Sequence, residues 1–599
     1  MKKIFVTLSM ALAVSAAFAV PAKQARKVLT LADGTHVTAT QVGDEFMNWW
    51  ESDNGLKYVE RDGVAVLANT ELMAADAAQR RALISAQRSQ RMANVLNTFN
   101  TPKADGPLRA DIGGSHITYT GKKKGIVILV DFTNQKFQDG HDNEYYNRVL
   151  NERGFTSDEG YRGSVSDYFL SQSNGQFELD FDVAGPYHLK HTVSYYGKND
   201  DVYGRTDTNV GKMIKDACDA AAAEGFNFND YDWDGDGYAD QVFVLYAGYG
   251  EASSLNKPET VWPHEYQVRY TIVGKPLSYT AQGLGKVDTY ACANEIEQVI
   301  NTSTGQYTNK IKVSGIGTIC HEFSHCLGFA DMYDTDNNGG ANANYGMGFF
   351  DVMCSGSYNG DGFVPCNYTA YERIYAGWTE PIVLDEPATV KAMKSSEDFG
   401  RPFIMYNDKN NNEFFTFENR QQTGWDAAIY GNGLLITHVD YDSTVWGINK
   451  VNGSSQNHQR CTIFHADNSA GVKSVIEIED DFYPYCDENG DPINDELTDD
   501  SRPSAKLYNV NADGTKYMGK PVTGITRNAD GTIAFLVMGG DDNNVLDNET
   551  VTAIAGVKSD VKQADNRVYS IDGRYLGNDI NALGKGLYIV GGKKELKTK

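Results

Sequence analysis

The stretch from Ile319 to Tyr333, ICHEFSHCLGFADMY, constrains the fold of this chain more than any other, because its spacing requires a helix at one defined place. An α-helix turns by about 100° per residue, so His321 and His325 lie within about 40° of one another. The apolar residues lie on the opposite side of such a helix: Ile316, Ile319, Phe323, Cys326 and Leu327. We therefore expect one apolar stripe on the core and both imidazoles on the face away from it.

Two histidines one helical turn apart can hold one metal ion. Gly328 can end the helix, because glycine adopts the left-handed conformation without strain, and the following turn brings Asp331 back toward the histidines. The three side chains would then bind zinc and leave a fourth position open to water, as in catalytic zinc sites. Glu322 lies beside this face and would act as the general base. The alternative is a helix whose two histidines are ordinary surface or core residues.

A second segment, MGFFDVMCSGSYNG, places Met353 in a turn rich in glycine and serine. A methionine can form a soft apolar floor beneath metal ligands there, and it can equally be ordinary core filling. Tyr358 and His264 are candidates to stabilise the negative tetrahedral intermediate, but the sequence alone places neither at the site.

The acidic stretch DYDWDGDGYAD predicts a second ion, calcium. It resembles the start of a calcium loop, with carboxylates at alternate positions, a glycine for the turn and one later acid. These candidate ligands are Asp232, Asp234, Asp236 and Asp240. Phe243 stands where a bidentate glutamate would complete the loop, so a solvated acidic loop is the alternative. Asp334 and Asp336 could bind another calcium or replace Asp331 at the zinc.

The charge balance limits the partners of this chain. Its 599 residues include 54 Lys and Arg against 80 Asp and Glu, a net charge of −26. This charge argues against nucleic acid and anionic membrane surfaces, and it leaves polyvalent cations as partners. The length predicts two to four domains. The oligomeric state is left open.

The N-terminus predicts export. Residues 1–19 contain Lys2 and Lys3, an apolar run and the small-x-small site Ala17-Phe18-Ala19, which is typical of a signal peptide cleaved after Ala19. The run is too short to span a bilayer and no other apolar stretch is long enough, so we expect no transmembrane segment. Export permits disulfides among the eight cysteines, whose pairing cannot be read from sequence.

The remaining patterns divide the chain into four parts. Residues 20–114 alternate like a small β-rich unit and then give a basic helix and a Pro/Gly-containing joint, which is either an activation site or a linker. Residues 115–385 mix buried strands and helices, as in an α/β or α+β domain. Residues 386–540 show short strand patterns, including SVIEIED, typical of a β-sandwich-like domain. Residues 541–599 form a linker and a short β module, interpreted as a tag or sorting element.

The site residues resemble a known family, the immune-inhibitor-A-like zinc metallopeptidases, which are related to the metzincins. HEFSHCLGFAD matches the pattern HExxHxxGxxD, and FDVMCSGSYNG is similar to the Met-containing turn. Other similar stretches are SVSDYFLSQSNGQF, DYDWDGDGYADQVFVLYAGYGEA, VWPHEYQV and YERIYAGW, and the resemblance runs from about residue 27 to 540. Many members carry proline at the position of Ala330 and tryptophan at the position of Phe350, and neither position supplies a ligand.

The resemblance implies a secreted, zinc-dependent endopeptidase that cleaves extracellular proteins and is made as a latent zymogen, with residues 20–114 as the prosegment. It favours Asp331 over Asp334 as the third ligand. The prosegment contains no cysteine, so an acidic residue such as Asp105 or Asp111 could block the zinc. The C-terminal module looks like a shortened sorting domain of Bacteroidetes type nine secretion, which implies a secreted or cell-surface protein. The alternatives are a metal-stabilised binding or adhesin module and a zinc hydrolase that does not cleave proteins.

Overall fold

The computed structural model describes residues 22–23, 25–44, 47–61, 63–80, 119–199, 207–254, 259–301, 304–336, 344–453, 458–469, 478–548, 568–570, 575–577, 580–590 and 593–597. The predicted signal peptide, Asp105 and Asp111 lie outside these residues. Within them the protein is a mixed α/β structure with large sheets, as the sequence predicts.

The first five strands form an antiparallel meander. They are β1 Arg26–Thr30, β2 His36–Gly43, β3 Asn48–Ser52, β4 Lys57–Arg61 and β5 Val64–Leu67. Arg26 of β1 pairs in parallel with Gln306 of a later strand, so the meander extends one side of the main eleven-stranded sheet. Residues 70–80 are helical, which accounts for the described part of the predicted basic helix.

Eight further strands follow between residues 121 and 313. They are β6 Gly121–Asp131, β7 Phe177–His188, β8 Val242–Tyr249, β9 His264–Gln267, β10 Leu277–Ser278, β11 Lys286–Val287, β12 Thr289–Asn301 and β13 Gln306–Val313. The order from the meander is β13-β12-β8-β6-β7, with β9 on β12, and β10 and β11 form a separate pair. The central pairs β7/β6, β6/β8 and β8/β12 are parallel. The apolar runs at residues 125–132 and 242–248 are therefore buried strands, as predicted.

Helices cover both faces of this sheet. They are α1 Asn143–Asn151, α2 Val165–Gln172, α3 Val193–Gly197, α4 Val210–Glu224, α5 Gly317–Cys326 and α6 Ala370–Tyr375. Val127 and Leu129 of β6 share a core with Phe323 of α5, whereas Ile128 shares a second core with Met213 of α4. Alternate residues of a strand point to opposite faces of the sheet, so both faces of β6 are apolar and each packs on one of the two cores.

A second region follows, with α7 Ser443–Gly447 and two facing sheets. Its strands are β14 Ile382–Val383, β15 Ala388–Met393, β16 Phe403–Asn407, β17 Asn410–Arg420, β18 Gly433–Asp440, β19 Cys461–Ile463, β20 Tyr485–Cys486, β21 Pro492–Asn494, β22 Val522–Arg527, β23 Ile533–Val537 and β24 Val545–Leu546. One sheet has the order β14-β16-β17-β18-β19 and the other β22-β23-β15-β24. Phe403 and Phe417 of the first lie 5.7 and 6.2 Å, between ring centres, from Phe535 of the second.

The end of one predicted strand in this region is not a strand, and the rest of that segment lies outside the described residues. In SVIEIED only residues 478–480 are described, and they belong to the 3₁₀ turn Ile478–Asp481. Residues i and i+3 lie on the same side of such a turn, so Ile478 and Asp481 are both buried. Asp481 accepts a hydrogen bond from His465 Nδ1 at 2.7 Å.

The C-terminal module contains β25 Val568–Ser570, β26 Tyr575–Gly577, β27 Gly586–Val590 and β28 Lys593–Lys597 in one four-stranded sheet. All eight cysteines lie in the described residues, and no disulfide joins any two of them there. In the described ranges no helix has the length and apolar character needed to cross a bilayer.

Candidate metal centre

Helix α5 carries the two histidines, and all ten of its residues are buried. The expectation that the histidine face lies away from the core was therefore wrong. The reason is that other segments pack on this face as well: the turn around Val352, the loop after Gly328 and a segment near residue 449. The side chains of His321 and His325 are therefore covered by other parts of the protein.

Two glycines define the ends of α5. A Cβ atom on Gly317 would lie 1.8 Å from the carbonyl oxygen of Ser357, so only glycine lets the 3₁₀ segment Ser355–Gly362 pack against the start of the helix. At the other end, Gly328 has φ 88°, a left-handed conformation that favours glycine. The prediction that Gly328 ends the helix is confirmed.

Backbone carbonyls orient both imidazoles. Nδ1 of His321 lies 2.9 Å from the Val352 oxygen, and Nδ1 of His325 lies 2.9 Å from the Phe329 oxygen. A histidine whose Nδ1–H donates to a carbonyl presents Nε2 as its lone-pair donor to a metal. The rings are perpendicular, with centres 4.9 Å apart. Both Nε2 atoms are thus available to one ion.

Asp331 completes this arrangement. Its Oδ1 lies 3.2 Å from Nε2 of His321 and 3.5 Å from Nε2 of His325. This buried oxygen has no properly formed hydrogen bond. Burial alone would raise the pKa of Asp331, but the two imidazoles and the Asn449 amide hold it well below its ordinary value. Two imidazole nitrogens and an orphaned carboxylate oxygen around one point fit a divalent metal ion.

Glu322 lies within the same cluster. Its carboxylate and the ring nitrogens of His321 and His325 offer atoms within 4.8 Å of one another. The Glu322 side chain is buried, and its backbone carbonyl accepts a hydrogen bond from Gln241 Nε2 at 3.2 Å. A carboxylate held at this distance from the ligands can take a proton from water next to the metal.

The methionine turn connects the segments that carry the ligands. Met353 is fully buried, and its carbonyl oxygen accepts a hydrogen bond from Met332 N at 2.9 Å, which joins the turn to the loop that carries Asp331. Met353 N in turn donates to Asp351 Oδ1 at 2.7 Å, which fixes the turn from the other side. Met353 therefore directly follows Val352, whose carbonyl orients His321, and its role as a floor beneath the metal stays a prediction.

Asn449 is the site residue that sequence reasoning missed. Its Oδ1 accepts from Asp331 N at 2.8 Å and its Nδ2 donates to Asp331 Oδ2, so one amide holds both the backbone and the carboxylate of the ligand. Asn449 has φ 57°, a conformation that asparagine tolerates better than most residues. It lies in the second region, and its segment INKVNG contains no pattern that indicates a metal site.

Loss of the Asn449 amide is expected to weaken metal binding by about 10–100-fold, as for other residues that orient a ligand. Asn449→Gly is the informative variant, because glycine keeps the left-handed backbone while it removes both hydrogen bonds to Asp331. The measurement is metal affinity by chelator competition. Asn412→Ala, which changes an exposed asparagine of β17, is the control and should bind metal like the wild type. Unchanged affinity in Asn449→Gly would contradict this role.

The other predicted site residues lie as follows. His264 has both ring nitrogens engaged, Nδ1 with the Trp262 oxygen at 2.6 Å and Nε2 with Tyr290 Oη at 2.9 Å. Burial lowers the pKa of His264 to about 4, so the ring is neutral near pH 7. Tyr358 lies on the 3₁₀ segment that packs against α5, with the Lys23 ammonium 5.1 Å from its ring centre.

Asp334 and Asp336 do not replace Asp331 at the histidines. The Asp334 carboxylate accepts hydrogen bonds from Asp336 N at 3.1 Å and Asn344 N at 2.8 Å. Asp336 forms an ion pair with Lys450 at 2.8 Å. Both acids therefore hold the loop that follows the site.

The acidic loop brings three of its four predicted ligands together. Carboxylate oxygens of Asp232, Asp234 and Asp236 lie within 4.8 Å of one another. They accept hydrogen bonds from amides of the loop itself, including Gly237 N to Asp232 at 2.9 Å. Asp240 is buried and accepts from Trp233 N at 2.5 Å. These contacts do not identify an ion, and calcium binding stays a prediction.

His321, Glu322 and His325 form a cluster that could hold a metal ion in the mixed α/β region. Residues 117–377 match the family model described as the immune inhibitor A peptidase M6 catalytic domain. These residues are thus similar to the catalytic domain of an immune inhibitor A type metallopeptidase, which confirms the resemblance seen in the motifs.

Two relatives extend this comparison. The pre-pro-metalloprotease PrtV of Vibrio cholerae serotype O1 is 23% identical over 304 residues, which cover 45% of this chain and 31% of PrtV. Immune inhibitor A of Bacillus thuringiensis subsp. alesti is 23% identical over 335 residues, which cover 48% of this chain and 46% of that protein. The chain therefore spans less than half the length of the curated relatives it matches.

Proposed function

We propose that this chain is a secreted, zinc-dependent endopeptidase that hydrolyses peptide bonds of extracellular proteins. The observation that carries the proposal is the convergence of His321 Nε2, His325 Nε2 and Asp331 Oδ1 beside the Glu322 carboxylate. Two imidazoles and one carboxylate are a donor set that zinc accepts in catalytic sites. The match to a peptidase domain favours peptide bonds as the substrate.

Each residue has a defined task in this proposal. His321, His325 and Asp331 hold zinc, which when bound supplies a Lewis acid for the scissile carbonyl and makes water more acidic. Glu322 takes a proton from the attacking water and returns it to the leaving amine. Tyr358 is the candidate donor to the negative oxygen of the tetrahedral intermediate.

We further propose that residues 20–114 form a prosegment that keeps the enzyme latent. Two contacts of its described part support this role. Lys23 forms an ion pair with Glu297 and lies over the Tyr358 ring. Asp44 accepts a hydrogen bond from Tyr333 Oη at 3.3 Å, two residues beyond the ligand Asp331. Asp44 is fully buried, and we prefer it to Asp105 or Asp111 as the acidic residue that contacts the site loop.

The location of the enzyme is part of the same proposal. The N-terminal residues 1–19 would direct export, and the module of residues 568–597 would sort the enzyme to the exterior or the cell surface. A fusion of residues 1–19 to a reporter tests export, and deletion of residues 568–599 tests sorting. Retention of the reporter inside the cell would contradict the first.

A substrate panel tests the proposed activity against its alternatives. The chain is freed of its prosegment by limited proteolysis within residues 81–118 and is incubated with an unfolded protein, short peptides and small esters. We expect cleavage of internal bonds of the protein, mapped by mass spectrometry, and little activity before prosegment removal. Hydrolysis of esters alone would favour a non-proteolytic hydrolase, and binding without cleavage would favour an adhesin.

A further inference from the structure

A second polar cluster lies where strand β2 meets the catalytic region, apart from the histidine site. Four side chains there each have one buried oxygen without a hydrogen-bond partner, as far as the described part of the chain extends. These atoms are Gln41 Oε1, Asn199 Oδ1, Asp207 Oδ1 and Glu251 Oε2. Buried polar atoms are usually hydrogen-bonded, so four such oxygens on linked side chains require an explanation.

The other polar atoms of these side chains join them into one group. Asn199 Nδ2 donates to Glu251 Oε1 at 2.8 Å, and Asn199 and Asp207 pair through an isolated β-bridge. Gln41 Nε2 donates to the Glu251 carbonyl oxygen at 3.3 Å. Each side chain is therefore held in place while one of its oxygens accepts no hydrogen bond.

The neighbouring backbone fixes the two acids side by side. Glu251 N donates to the Val261 oxygen at 3.1 Å, and the next residue, Trp262, donates its N–H to Asp207 Oδ2 at 2.9 Å. Glu251 and Gln41 are 6% and 5% exposed, so water does not solvate them freely. The geometry places two carboxyl groups and two amide oxygens in a poorly hydrated space.

The charges in this space are unbalanced. Burial and the nearby Asp207 raise the pKa of Glu251, and burial raises the pKa of Asp207. The charge of Arg80 lowers the pKa of Asp207, whereas the charge of Glu60 raises the pKa of Glu251 further. Among the described residues, Arg80 alone lowers the pKa of Asp207 through its charge, and it also pairs with Asp76, so a bound cation would relieve the repulsion between the two acids.

We propose that Gln41, Asn199, Asp207 and Glu251 form a calcium site that joins the prosegment to the catalytic region. The donors are all oxygen atoms, the type that calcium prefers, and calcium takes 6–8 of them from carboxylates, amides, carbonyls and water. A zinc ion would instead favour imidazole or thiolate ligands. Because Gln41 belongs to β2 of the prosegment, the ion would strengthen attachment of that segment.

Calcium titration calorimetry on the full chain tests this site. The parent carries Glu322→Gln, to prevent self-cleavage, and Asp234→Asn, to weaken the acidic loop as a competing site. We expect calcium to bind the parent and to raise its Tm. Addition of Glu251→Gln, which keeps the size and removes the charge, should lower the calcium affinity roughly tenfold or more.

Two results would overturn the proposal. One is a parent that neither binds calcium nor gains stability from it, as expected if the two carboxyl groups simply share a proton. The other is a calcium affinity that Glu251→Gln leaves unchanged. Should Glu251→Gln fail to fold, Asp207→Asn is measured in its place against the same two outcomes. Neither result depends on whether the enzyme cleaves proteins, so the proposed function is tested separately.

Discussion

Glu322→Gln is expected to bind zinc like the wild type and to lose about 10²–10⁴-fold in kcat/KM, the usual contribution of a positioned general base. Glutamine has almost the same size, so it fits the buried position of Glu322 without repacking. It cannot accept the proton of the attacking water, because an amide is not a base near pH 7. The zinc ligands are untouched, so metal content should stay at the wild-type value.

The comparison requires chain freed of its prosegment and zinc content measured on the same samples. Glu224→Gln is a matched control. Glu224 is the last residue of α4 and accepts a hydrogen bond from Tyr187 Oη. Helix α4 lies on the opposite face of the sheet from α5. Glu224→Gln should keep wild-type activity. Equal activity of Glu322→Gln and wild type would remove Glu322 from the mechanism, and loss of zinc from Glu322→Gln would make it a structural residue.

Asp331→Ala is expected to lose zinc. The change removes the carboxylate oxygen that lies 3.2 and 3.5 Å from the two Nε2 atoms, and it leaves the two imidazoles as protein ligands. The loss of affinity should exceed the roughly 10–100-fold expected when a residue that only orients a ligand is removed. Activity should fall with the zinc content, and a large excess of zinc should restore part of it.

Chelator competition measures this affinity directly. Asp334→Ala is the control, because Asp334 holds the backbone of the same loop and does not face the histidines. Zinc affinity should be equal in the wild type and Asp334→Ala. It should be lower in Asn449→Gly and lowest in Asp331→Ala. A larger loss in Asp334→Ala than in Asp331→Ala would show that the third ligand was assigned to the wrong acid.

The sequence predicts the local part of the site well, because its main residues are close together in the chain. The spacing of His321, Glu322 and His325 implies one helical face, and Gly328 implies the turn that returns Asp331. The strands at residues 125–132 and 242–248 follow from uninterrupted apolar runs, which parallel strands buried on both faces require. These features depend on short-range geometry alone.

The missed features depend on contacts between distant segments. Asn449 lies 118 residues from Asp331, and nothing in its local sequence indicates that contact. The covered histidine face was missed for the same reason, because the covering residue Val352 lies 31 residues beyond His321 in the chain. The edge pairing of β1 with β13 joins Arg26 to Gln306, which strand patterns cannot reveal. Such contacts are set by the tertiary fold and not by periodicity.

The most direct test of the central claim is protein hydrolysis by the prosegment-free chain as zinc is removed and returned. A chelator is used to strip the metal, and zinc is added back in steps while cleavage of an unfolded protein is followed. We predict that activity disappears with the metal and returns in full at one zinc per chain. Undiminished cleavage by zinc-free protein, or no cleavage by zinc-loaded protein, would contradict the assignment of His321, His325 and Asp331 as a peptidase centre.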